Sequence, residues 1–72
     1  MYELDLSGYS CPIPVLKTKK FLADMPTGFQ VKVITTDPAS VIDLQEFCKK
    51  TGHKLIEQTV NNNIILTLIE HR

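Results

Sequence analysis

Cysteine is scarce in this chain: two thiols, Cys11 and Cys48, stand far apart in sequence. A small secreted domain held together by disulfides usually carries four or more. No Cys-x-x-Cys pair occurs, so neither a zinc knuckle nor a dithiol redox centre has its ligands. Two histidines, His53 and His71, without clustered carboxylates make no metal site. No metal or organic cofactor is therefore expected. No run of about 18 apolar residues is long enough to span a membrane. The opening Met1-Tyr2-Glu3-Leu4-Asp5 lacks the basic-then-apolar pattern of a signal peptide. Charge excess is missing too: eight basic residues balance eight acidic ones, which argues against direct nucleic-acid binding. These absences lead to the expectation of a reducing, cytoplasmic setting with at least one working thiol.

Hydrophobic residues make up 43% of the chain, enough for a folded globule. Seventy-two residues, with no linker, repeat or low-complexity tract, predict one domain over 1–72. A chain this short buries only roughly 60% of its unfolded surface, which leaves a thin core and no deep substrate pocket. Tyr2 to Leu6 alternates apolar and acidic residues as a half-buried strand does. After a loop over residues 7–10, a helix is expected from residues 12–14 to 24–25. Pro14, Val15, Thr18, Phe21, Leu22 and Met25 share its inner face, and Lys17, Lys20 and Asp24 its outer one. Pro26-Thr27-Gly28 turns the chain, and Phe29 to Thr35 reads as a second strand.

Asp37-Pro38 predicts a second helix, with Asp37 as cap and Pro38 at the first helical position. Val41, Leu44, Phe47 and Cys48 form its buried stripe, and Asp43, Glu46 and Lys50 its wet side. Lys49 and Lys50 suit the negative end of the dipole, and Gly52 a left-handed cap. Lys54 to Val60 and Ile64 to Ile69 read as strands joined by Asn61-Asn62-Asn63, a residue type that tolerates positive φ. The order βαβαββ, with helices apolar on one side, predicts an α/β (α+β) two-layer sandwich. Its sheet is mixed and four-stranded, and both helices cover one face.

Chemistry concentrates at Gly8-Tyr9-Ser10-Cys11-Pro12-Ile13-Pro14. Proline suits the first turn of a helix, so this is a helix start with a thiol at its positive end. The dipole and the free N–H groups there should favour the thiolate, the form that attacks sulfur. A strand-to-helix loop is also exposed ground where functional residues gather. Cys48, on an apolar stripe, reads as a core thiol. His53 reads as a helix-end residue packing on the sheet edge, with a titratable neighbour of the thiolate as the alternative, and His71 as solvated. Asp5 and Gly8 shape the loop carrying Cys11, glycine supplying an angle other residues avoid. Lys17 and Lys20 form either a solvated face or a docking patch for an acidic partner.

The arrangement Asp5, Gly8, Cys11, Pro12 and Pro14, followed by Asp37-Pro38, Asp43, Phe47-Cys48 and Gly52-His53-x-Leu55, resembles the TusA/SirA-like sulfur carriers over nearly the whole chain. The resemblance implies the same βαβαββ sandwich, with the strand order of the translation initiation factor 3 C-terminal domain class. It implies that Cys11 accepts a sulfane sulfur as a persulfide from a donor such as a cysteine desulfurase or rhodanese. The sulfur then passes to an acceptor in tRNA thiolation, molybdenum cofactor synthesis or sulfur oxidation. A monomer suits such a shuttle. Members serving the tRNA relay often carry arginine, glutamate and arginine where this chain has Ser10, Ile13 and Ile42, so charge is removed around the expected docking surface. Two rival classes are weaker. An RNA-binding or regulatory adaptor would rest on the Lys17–Lys20 face, against zero net charge. A redox sensor lacks a neighbouring cysteine to resolve a sulfenic acid.

Overall fold

Alternation builds the sheet. A computed structural model describes residues 2–72. In it β1 (Tyr2–Asp5), α1 (Ile13–Leu22), β2 (Gln30–Thr35), α2 (Ser40–Thr51), β3 (Lys54–Asn61) and β4 (Ile64–Glu70) follow in the predicted order. Val31, Val33 and Thr35 of β2 and Ile65, Thr67 and Ile69 of β4 are buried, every second residue of each strand. The strands lie in the order β1-β2-β4-β3. β1 runs parallel to β2, and the other two pairings are antiparallel. The parallel pair is the one joined through a helix, as a crossover requires. The last two strands form a tight hairpin: Asn61 pairs with Ile64, and Asn62 and Asn63 turn the chain at φ 51° and 66°. This is the mixed four-stranded sheet and two-layer architecture that the pattern of elements predicts.

Both helices pack on one sheet face around Leu6, Leu22, Val31, Val33, Leu44, Phe47, Cys48 and Ile69. The buried hydroxyls are satisfied. Thr18 donates to the Pro14 carbonyl at 2.8 Å, Thr35 and Ser40 share a bond of 2.6 Å, and Thr67 accepts from Gln58 at 3.0 Å.

Both helix boundaries differ from expectation. α1 stops at Leu22 rather than at residues 24–25. The Met25 N–H bonds back to the Leu22 carbonyl and the chain turns out ahead of Pro26, which disfavours helical geometry in the residue before it. α2 begins at Ser40, so Pro38 is not its first helical residue. Ser40 N–H to Asp37 C=O and Val41 N–H to Pro38 C=O form tighter turns first. Asp37 still serves the start, its Oδ1 accepting the Ala39 N–H at 2.9 Å. At the far end Gly52 is left-handed at φ 84°, and its N–H closes on the Cys48 carbonyl.

Candidate functional site: the Cys11 loop

β1 and β2 are parallel, so the loops that leave their carboxyl ends, residues 6–12 and 36–39, emerge side by side. Asp5 folds the first loop: its Oδ1 accepts the Ser7 backbone N–H at 3.0 Å and hydroxyl at 2.6 Å. Those bonds, the hydroxyl's first, hold its carboxyl below the ordinary value. Gly8 then takes φ 86° and donates its N–H to Thr36 Oγ1 at 2.9 Å, a backbone angle that a side chain would strain. Three residues later the loops are tied again. The Cys11 N–H donates to Asp37 Oδ2 at 2.9 Å, so one carboxylate holds the cysteine backbone and the start of α2 together. Bonds from Cys11 and Ala39 lower the Asp37 pKa.

The thiol itself departs from the sequence expectation. Cys11 is half-buried rather than open on an exposed loop. Burial, a hydrogen bond to Asp43, and the negative charges of Asp43 and Asp37 push it up to about 11. The anticipated help from the helix is small, for a local reason. Pro12 and Pro14 carry no N–H, and the Ile13 N–H is spent on the Ser10 carbonyl at 2.9 Å. The residues that mark the helix start also remove most of the donors that would stabilise a thiolate there.

Asp43 is the functional residue that sequence reasoning misplaced. Periodicity puts it with Glu46 and Lys50 on the wet side, yet it is half-buried and its charge acts on the thiol. The signal was its i+4 relation to the buried Phe47, which puts both on one flank of α2. Pro12, Leu16, Lys19, Ile42, Asp43 and Phe47 line an open groove of about 730 Å³ between α1 and α2, with Cys11 next to its Pro12 end. Its volume is that of a ligand pocket, but the groove is open along one side. Leu16 is 54% exposed, Ile42 63% and Ile13 38%. Large apolar side chains left in water around one sulfur suit contact with another protein.

The remaining candidates lie elsewhere. Lys17 and Lys20 are exposed on α1, the Lys17 ammonium standing 4.9 Å from the centre of the Tyr9 ring. Cys48 is buried in the core, and burial alone raises it to about 11. His53 packs on Phe47 at 5.6 Å and on His71 at 4.6 Å between ring centres. Asp43 and Asp37, not His53, are the charges that act on Cys11. His71 is half-buried in that contact rather than solvated. Among the described residues no cluster of three or more His, Cys, Asp or Glu is arranged to hold a metal ion. Among the described residues no helix is long and apolar enough to cross a membrane.

The family model described as Sulfurtransferase TusA matches residues 2–70. The chain belongs to the TusA sulfurtransferase family. A putative sulfur carrier protein of Neisseria meningitidis is 35% identical over 69 residues, covering 96% of this chain and 93% of that one. The sulfur carrier protein TusA of Allochromatium vinosum is 51% identical over 55 residues, covering 76% and 72%. The crystal structure of a SirA-like protein from Desulfitobacterium hafniense superposes with a TM-score of 0.86 at 32% identity, covering 97% of this chain and 96% of that one. Against this TusA-family background Ser10, Ile13 and Ile42 matter more. Ser10 and Ile42 bring no cation to the surroundings of Cys11, while Asp37 and Asp43 both act on it.

Proposed function

We propose that this chain is a sulfur carrier that holds a sulfane sulfur as a persulfide on Cys11. The observation that supports it most is a half-exposed thiol at the edge of an apolar groove, on the Cys-Pro-x-Pro loop of a TusA-family fold. The Cys11 thiolate attacks the outer sulfur of a donor protein's persulfide. A new S–S bond forms on Cys11, the donor's S–S bond breaks, and the donor leaves as a thiolate that takes up the proton Cys11 gave up. An acceptor's nucleophile then attacks the outer sulfur of the Cys11 persulfide and releases the Cys11 thiolate. The exchange is balanced without an external oxidant or reductant. In this sense the chain is a sulfurtransferase, one that carries sulfur between proteins rather than turning over a small molecule in a pocket.

Docking is assigned to the apolar rim of Ile13, Leu16 and Ile42, with Lys17 and Lys20 available to an acidic partner. A cysteine desulfurase or rhodanese is the donor class, and tRNA thiolation, molybdenum cofactor synthesis or sulfur oxidation supplies the acceptor. The test is intact-mass analysis after incubation with a cysteine desulfurase and cysteine. The wild-type chain and Cys48→Ala gain one sulfur atom, and Cys11→Ala gains none. Loading that survives Cys11→Ala overturns the assignment.

A further inference from the structure

We propose that Asp43, reinforced by Asp37, makes the Cys11 sulfur selective for partners that present a cationic group beside the reacting sulfur. The inference rests on Cys11 being the sulfur-bearing residue and adds which partners it accepts. The geometry carries it. Asp43 stands on the first turn of α2 and lines, with Pro12, the groove that ends beside Cys11, and its negative charge is one of those that raise the thiol. Asp37 grips the Cys11 N–H from the β2–α2 loop at 2.9 Å. From α1 the charges nearest the site are Lys17, stacked over Tyr9, and Lys19, on the groove wall. From the loop carrying Cys11 there is none, since Ser10 and Ile13 are uncharged; on α2 Ile42 is uncharged too, and Glu46 and Lys50, of opposite sign, also line the groove.

A carboxylate beside a thiol can act in two ways, as a base or as a fixed negative charge. Carboxylates are weaker bases than thiolates by several powers of ten, so proton removal is not the role. As a fixed charge, Asp43 keeps the resting sulfur protonated and repels anionic reagents. A lysine or arginine brought in by a docked partner offsets that charge, and the thiolate forms inside the complex. The free carrier is thereby protected from small oxidants and electrophiles, which need the thiolate.

Thiol–disulfide exchange with small charged probes tests this directly, by rates at near-neutral pH and low ionic strength. In each reaction Cys11 thiolate forms a mixed disulfide with one sulfur of the probe, the probe's S–S bond breaks, and its other half leaves as a thiol after taking a proton. Cystamine, with two ammonium groups, should react about tenfold faster than a dicarboxylate disulfide, the size expected for one charge pair in a half-buried site. Added salt should shrink the ratio. Asp43→Asn should bring the ratio close to one. It should also speed exchange with neutral hydroxyethyl disulfide about threefold, because each tenfold gain in thiolate is partly offset by a weaker nucleophile. Asp43→Glu, which keeps the charge, should keep the selectivity. A wild-type ratio near one, or a ratio unchanged in Asp43→Asn, overturns the proposal. Should Asp43→Asn fail to fold, the salt dependence of the wild-type ratio decides, and its absence overturns the proposal equally. Loss of desulfurase-dependent loading with charge selectivity intact would instead count against the carrier assignment alone.

Discussion

His53 shows how one side chain can tie the stability of this small fold to pH. Its ring lies between Phe47 and His71, and its Nδ1 accepts the Arg72 N–H at 3.2 Å. Burial, then the charges of His71 and Arg72, hold the imidazole below its usual 6.5. The folded state thus favours neutral His53. Its contribution is fully present above the unfolded value and drains away as pH falls through the lower folded one. The urea midpoint of the wild type should therefore drop between about pH 7 and pH 5, and His53→Asn, which retains a hydrogen-bond acceptor, should flatten that drop. Identical slopes in the two proteins would rule the account out. Position and residue type made much of this detail readable in advance. Gly52-His53 after a helix pointed to a packed helix end, and Cys48 on an apolar stripe to a core thiol. The Asp37–Cys11 tie and the action of Asp43 on the thiol were not readable, because each joins residues 26 or more apart through loops whose paths depend on the whole sheet. Only the parallel pairing of β1 and β2 brings those loops together.

The last hairpin offers a sharper test, because its geometry is set by two residues. Asn62 and Asn63 both sit at positive φ, at 51° and 66°. Asparagine tolerates this region and glycine occupies it without strain, while a residue with an ordinary Cβ loses about 1–2 kcal/mol there. Asn63→Gly should thus stabilise the protein by about 0.5 kcal/mol, and Asn63→Ala should cost about 1 kcal/mol, since Asn-Gly suits the mirror-image turn that matches strand twist. Urea unfolding would show the opposite order if the hairpin closed through some other turn. The strands were legible from alternation, and this turn from its asparagines. Helix starts were less so. Asp37-Pro38 gives a strong local signal for a start, but the carboxylate also serves the neighbouring loop, and two tighter turns precede the α-helical run. The acidity of Cys11 departs from the sequence expectation for a similar reason. The prolines that announce α1 remove the very N–H groups the thiolate argument needed.

Two layers and 72 residues leave little stability in reserve. Folded chains of this length are stable by about 4–11 kcal/mol, and much of that comes from the single cluster between the sheet and the helices. Leu44 is fully buried in it, on the helix that also carries Asp43 and Cys48. Leu44→Ala should cost about 2–5 kcal/mol, the range for a buried leucine whose site cannot collapse. The urea midpoint should fall with its slope unchanged, because the surface exposed on unfolding is nearly the same. The same opening can be read chemically. Cys48 is shielded from reagents only while α2 stays docked, so Leu44→Ala should raise its alkylation rate about tenfold for each ~1.4 kcal/mol of lost stability, on a Cys11→Ser background where no other thiol competes. A cost under about 1 kcal/mol, or Cys48 alkylation as slow as in the parent, would mean that α2 is held by something other than this core. The Cys11 loop would then not depend on the packing of α2 for the placement of Asp37 and Asp43 around its sulfur.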